Sequence, residues 1–230
     1  METQAMHIAN GIVDGPVSAL FIVVAVAALA VCARRARAGL EDRLAPMAGL
    51  VAAFIFAAQM LNFPIAAGIS GHLLGGALAA ILVGPWLGAL CVATVLVVQA
   101  LLFADGGLTA IGLNVVNMAV VATGAGFLVA AALLRVLPRT PAGLGLAAFI
   151  ASVVSVVAAA EGFVLQYALG GTTALPFAEV ATLMAGTHLL IGIGEGLIAA
   201  VTVATVARVR PDLVHALRRS APAPTIGAAA

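Results

Sequence analysis

The sequence predicts an all-α integral membrane protein of about seven transmembrane helices, with its N-terminus outside and its C-terminus cytoplasmic. Two observations carry that prediction, the apolar content and the placement of the arginines. Of 230 residues, 64% are hydrophobic and only 8% charged, more apolar surface than a soluble domain of this size can keep from water. All ten basic residues are arginines, and they fall in three groups. Alanine is abundant and aromatics are few, so helices can approach closely through small residues.

Apolar runs occupy 17–34, 45–63, 72–84, 86–103, 111–134, 143–168 and 177–208. A hydrocarbon core of about 30 Å needs about 20 helical residues. The third run is short, and Gly84-Pro85 separates it from the fourth as a tight turn between helices. The seventh is longer than a span requires at about 1.5 Å per residue, which puts its first turns outside the hydrocarbon. Residues 1–210 therefore form one polytopic membrane domain. Residues 211–230 are expected to be a cytoplasmic tail, disordered where Pro and Ala dominate from Ser220. The first sixteen residues lack the basic n-region of a signal peptide.

Arg34, Arg35, Arg37 and Arg43 lie between runs one and two. Arg135 and Arg139 lie between five and six, and Arg208, Arg210, Arg218 and Arg219 follow the seventh. With seven spans all three groups reach the same side, which the positive-inside rule makes cytoplasmic. Cys32 and Cys91 sit inside apolar spans and read as small packing residues.

Polar groups inside a span are costly, so their distribution points to function. Helical rise counted from the cytoplasmic ends places Gln59 and Gln99 roughly 20 Å up, Glu161 roughly 25 Å up and His188 about 30 Å above Arg208. Asn114 and Asn117 open the fifth span at i, i+3, on one helix face. Asn62, Ser70 and His72 flank the outer loop between spans two and three. His7, His72 and His188 thus gather on the outer side with most of the buried amides, and His215 alone is cytoplasmic, expected to be solvated. The pattern suggests a polar cavity open outward. The competing reading is that the amides join helices through interhelical hydrogen bonds.

A Met-His pair near an outward N-terminus has a specific chemical use. In a chain beginning at Met6, the free amine, the His7 backbone nitrogen and the His7 imidazole form two fused chelate rings with three nitrogens in one plane. A fourth nitrogen, for instance from His72, completes a square-planar site suited to Ni(II) or Cu(II). Neighbouring Gln and Asn side chains could orient the rings by hydrogen bonding. Residues 1–16 are accordingly expected to be an outward metal-binding segment.

Met6-His7-Ile8 with Gly11 resembles the start of the substrate-capturing component of cobalt/nickel energy-coupling factor transporters, the CbiM/NikM family. The resemblance continues through Phe56-x-x-Gln59-Met60-x-Asn62-Phe63-Pro64 and Ser70-Gly71-His72-Leu73-Leu74-Gly75-Gly76. Gly84-Pro85, Gln99 to Gly107, Gly112-x-Asn114-x-x-Asn117-Met118 and Gly192-Ile193-Gly194-Glu195-Gly196 extend it in order over residues 6 to 208. It implies a seven-helix component of a prokaryotic cell (inner) membrane, with its N-terminal segment tucked into an outward pocket. It also implies Co(II) or Ni(II) as the transported ion, no cofactor, and metal ligands at Met6, His7 and His72. The five residues before Met6 depart from the family pattern, and a start at Met6 is the expected explanation.

The chain has no lysine and so no Gly-x-x-x-x-Gly-Lys phosphate loop, which makes it a transporter subunit without its own ATPase. The resemblance supplies the partners: two cytoplasmic ATPase subunits, a coupling transmembrane subunit and, in some relatives, a small accessory membrane protein as a separate chain. No nucleic acid is involved. Ala48/Ala52 and Ala53/Ala57 would suit a docking helix or ordinary packing within the chain. Two rivals come from other classes. One is an ion-coupled carrier using Glu161 and Glu195. The other is a rhomboid-like serine protease pairing Ser70, in Gly68-x-Ser70-Gly71, with His188.

Overall fold

The computed structural model describes residues 7–39, 44–60, 63–66 and 69–218, with backbone alone over 63–66 and 69–70. Met6, Asn62 and the tail from 219 lie outside the described residues. Asp14 caps α1 (Gly15–Ala38), its Oδ1 accepting from Val17 N at 2.8 Å, with Pro16 in the first turn. α2 (Leu44–Gln59) leads to a short antiparallel hairpin of β1 (Phe63–Ala66) and β2 (Ile69–Gly71). Then come α3 (Gly76–Val83), α4 (Pro85–Leu102), α5 (Ile111–Leu133), α6 (Pro141–Gly170) and α7 (Phe177–Val209). α5 carries a π-helical segment, Val115–Val121.

The seven expected helices are present, but among the described residues only five are long and apolar enough to cross a membrane: α1, α4, α5, α6 and α7. α2 has 16 residues and α3 only eight, about 12 Å of helix. The expected third span, 72–84, begins as non-helical chain and becomes helix only at Gly76. Its helical part is bracketed by Gly75 at φ +84° and Gly84 at φ +90°, conformations that glycine alone adopts cheaply. Every residue of α3 is buried, and α2, α4, α5, α6 and α7 all pack on it. The short helix is the axis of the molecule rather than one more wall. Its contact with α5 is close: a Cβ on Gly126 would lie 2.6 Å from Ala77 Cα.

Non-helical backbone at membrane depth survives only if its peptide groups are satisfied by protein. Residues 72–75 meet that condition through two buried side chains. Leu74 N donates to Glu195 Oε2 at 2.6 Å and Gly75 N to Glu195 Oε1 at 3.2 Å. The Leu74 carbonyl accepts from Gln59 Nε2 at 2.8 Å. Glu195 and Gln59 are both fully buried, so α7 and α2 clasp the loop from two sides.

At the other end, Pro211–Leu213 and His215–Leu217 form two 3-10 turns. Val214 is fully buried in the main core. The tail expected at 211–230 therefore begins as packed structure. His215 is half-buried against Gly84 rather than solvated, because Val214 pulls the turn onto α3 and α4. Cys32 and Cys91 are buried free thiols. Ala48 and Ala52 pack inward, whereas Ala53 and Ala57 are exposed.

Gly126→Ala should lower thermal stability in detergent by about 1–3 kcal/mol through overpacking. Gly124→Ala, with nothing within 4 Å of the added methyl, should leave the midpoint unchanged or raise it. Glu195→Ala should cost about 1–3 kcal/mol for each of the two N–H groups it orphans. Faster hydrogen exchange confined to residues 73–76 is the signature that distinguishes it from a general loss of packing.

Candidate functional site

Residues 7–14 run along the loops that follow α4 and α6, held mainly by backbone. Asn114, in the first turn of α5, grips Ile8 on both sides: its Oδ1 accepts from Ile8 N at 3.1 Å and its Nδ2 donates to Ile8 O at 3.3 Å. Gly107 N also donates to Ile8 O, at 2.9 Å. Asn10 Oδ1 accepts from Thr109 N at 3.0 Å and from Thr109 Oγ1 at 2.7 Å. Farther on, Thr172 N donates to Ile12 O at 3.1 Å and Asp14 N to Gly170 O at 2.7 Å. The Gly106-Gly107 pair makes the seat. A Cβ on Gly107 would sit 2.4 Å from Asn10 N, and one on Gly106 would meet His7 Cβ at 3.0 Å.

This seating delivers His7 to His72. The two rings are edge to face with centroids 4.9 Å apart, and both residues are buried. His7 Nδ1 lies 3.2 Å from Asp105 Oδ1, and His7 Nε2 is buried with no hydrogen-bond partner among the described residues. His72 Nδ1 lies 3.0 Å from the Leu73 carbonyl. Each Nδ1 thus faces an acceptor oxygen, a carboxylate for His7 and a backbone carbonyl for His72. Imidazoles held through one ring nitrogen in this way are oriented as metal-ligating imidazoles commonly are.

Both rings border a cavity of about 400 Å³ with Asn114, Asn117 and His188, the remaining wall being mostly apolar. It has room for an ion together with several waters. Asn114 and Asn117 both line the cavity but bond to different partners. The π-helical segment, with its wider turn, sends Asn117 to α6. There its amide and that of Gln166 exchange hydrogen bonds of 2.8 and 2.9 Å.

The other expected residues divide by place. Gln59 and Glu195 hold the backbone beside His72, not the cavity. Gln99 is fully buried, and neither end of its amide finds a partner among the described residues. His188 lines the cavity, its Nδ1 2.9 Å from the carbonyl of Met184 in its own helix. Glu161 is half-buried and is not one of the cavity-lining residues. Ser70 is placed by backbone alone, in β2.

Two contributors were not singled out from sequence. Asp105 carried a signal, being the one charge between the fourth and fifth apolar runs and followed by Gly-Gly. Gln166 had the same mark as Gln59 and Gln99, an amide inside an apolar run. Among the described residues no three His, Cys, Asp or Glu side chains converge on one point. The cavity itself is lined by three imidazoles, those of His7, His72 and His188.

The family model described as "cobalt uptake substrate-specific transmembrane region" (CbiM) matches residues 7–213. A putative fused nickel transport protein NikMN of Archaeoglobus fulgidus is 42% identical over 91% of this chain and 68% of its own length. A putative metal transport protein of Haloquadratum walsbyi is 41% identical, over 91% of this chain and 93% of its own. Among solved structures, a transition metal transporter superposes with a TM-score of 0.76 at 28% identity, covering 89% of this chain and 93% of that one. On this match the chain belongs to the CbiM family of substrate-specific transmembrane proteins of cobalt uptake.

Proposed function

We propose that this multi-pass membrane protein captures Co(II) or Ni(II) at its outer face for an importer whose ATP hydrolysis occurs on separate subunits. The observation that carries this reading is the pairing of His7 and His72, 4.9 Å apart between ring centroids, by two independently braced backbone segments. Family membership and the nickel transport name of the archaeal relative support the choice of ion. The arginines support an outward N-terminus through the positive-inside rule.

The site residues act in stages. Asn114, Asn10 and the Gly106-Gly107 seat bring the N-terminal segment in and fix its register. Glu195 and Gln59 hold the loop that carries His72. His72 then presents one nitrogen, and the Met6–His7 segment supplies the rest of a nitrogen set. In the chelate the six-membered ring closes through His7 Nδ1, the nitrogen that here faces Asp105. Binding in that form turns the imidazole over, leaving Nε2–H for Asp105 to accept. Bound through Nε2 instead, the ring keeps the Asp105 contact it has. In both cases Asp105 orients the imidazole and offsets charge beside the ion.

A nitrogen set of this kind holds nickel more tightly than cobalt. The energy source is assigned to partners, a coupling membrane subunit and two ATPase subunits, because the chain has no lysine for a phosphate loop.

Purified protein should bind one Ni(II), measured by calorimetry and elemental analysis. His7→Ala and His72→Ala should each abolish binding, while Asp105→Asn weakens it roughly 10–100-fold. Stoichiometric nickel on folded His72→Ala would sink the assignment. A chain starting at Met6 should bind more tightly than one starting at Met1. Equal affinities would remove the terminal amine from the ligand set and leave the two histidines. In membrane vesicles, nickel uptake should require ATP and the partner subunits; uptake driven by a proton gradient through this chain alone would favour the ion-coupled carrier.

A further inference from the structure

The arginine-rich end of the molecule holds a second built pocket that ion capture does not use. It is a cavity of about 230 Å³ whose lining includes Arg35, Gly84, Trp86, His215 and Arg218 and, among the described residues, no acidic side chain. Arg218 Nε and one of its terminal nitrogens are buried without a hydrogen-bond partner among the described residues. A guanidinium stays charged and can only donate, so such nitrogens are costly unless an acceptor reaches them.

The start of α4 adds more donors. Gly84 caps it with no side-chain hydrogen bond and Pro85 follows, which leaves the first-turn N–H groups facing outward at the positive end of an 18-residue helix. His215 is fixed beside them, since a Cβ on Gly84 would come within 2.9 Å of its ring. Burial, and then the charge of Arg218, lower the pKa of that imidazole, as expected in a positive pocket with no anion.

We propose that this pocket binds a phosphate group, and that its occupant is the headgroup of an anionic phospholipid. The phosphate supplies several acceptor oxygens for donors converging from three elements. Its membrane source follows from position. Arg35 lies in the last turn of α1, one turn beyond Val31, which is 40% exposed on the apolar flank of that helix. Trp86 in the lining is 45% exposed, as interfacial tryptophans are. A headgroup seated here can leave its acyl chains along α1, and basic pockets between membrane helices are suited to such headgroups.

The test is native mass spectrometry of the full chain, comparing retention of phosphatidylglycerol with that of phosphatidylcholine. One phosphatidylglycerol should be retained preferentially, and Arg35→Gln or Arg218→Gln should each weaken it about fivefold, with nickel binding unchanged. Arg218→Lys, which keeps the charge, should recover part of the loss and guards against a folding defect. Equal phosphatidylglycerol retention by wild type and the Arg35→Gln/Arg218→Gln double variant overturns the site. Full displacement of the lipid by millimolar inorganic phosphate overturns the lipid source. Glu41 and Asp42, outside the described residues, are the nearest acidic residues in sequence to Arg35. If Glu41→Gln/Asp42→Asn reproduces the Arg218→Gln loss, the arginine serves an internal ion pair and the proposal falls.

Discussion

Non-helical backbone inside a membrane protein must find its hydrogen bonds within the protein, and residues 72–75 are organised by that requirement. The loop beside His72 does not satisfy itself, so Glu195 and Gln59 bond to it from two helices distant in sequence. One carboxylate takes two consecutive N–H groups, which suits two acceptor oxygens on a single side chain. Once the loop is fixed, α3 can begin at Gly76, fill the centre of the bundle and give the other helices a surface to pack on. The position of His72 is a product of the same clasp. Folding at the core and geometry at the site therefore share one set of hydrogen bonds.

The N-terminal segment follows a different logic. Over its described residues, 7–14, Val13 packs with Ala110 and Leu113 beside Ile8 and Ile12, and paired polar contacts add to that hold: Asn114 on Ile8, Thr109 on Asn10, Thr172 on Ile12. Net hydrogen bonds of this kind are worth about 0.5–1.5 kcal/mol each, so the segment is secured by their number.

Much of this was legible in the sequence because membrane helices obey coarse rules. Apolar runs located all seven helices, and the rarity of polar residues inside those runs exposed Gln59, Gln99, Asn114, Asn117 and Glu195 as exceptions. What the runs could not convey was helix length at the centre. Residues 72–84 are apolar whether coiled or extended, and hydropathy does not distinguish the two. The π segment in α5 was equally invisible, so the i, i+3 spacing placed Asn114 and Asn117 on one face without showing that their amides bond to different partners, Ile8 and Gln166. The role of Asp105 depends on a chain reversal at Gly106-Gly107 that composition marks only as a loop. His215 was misread because the hydrophobes that draw it inward, Leu213, Val214 and Leu217, make too short a run to stand out beside the membrane spans.

The core beneath the histidine pair bears on how the ion must move. Ala77, Leu78, Ile81 and Leu82 of α3 are almost entirely buried against Val92, Ala119, Ala148 and Ala151 of the surrounding helices. This layer is close-packed and apolar, and the buried side-chain hydroxyls of the adjoining α5 and α6 are few: Thr123, Ser152, Ser155 and, near the far end of α6, Tyr167. Such a layer offers a divalent cation neither ligands nor water, and desolvating the ion to cross it would cost far more than thermal energy supplies. On the proposed function, an ion captured at His7 and His72 would not leak through the resting structure. Its passage would require a displacement large enough to break either the clasp at Leu74 or the packing around α3. That requirement argues for a conformational change during transport, because the barrier is built into the short helix that holds the fold together.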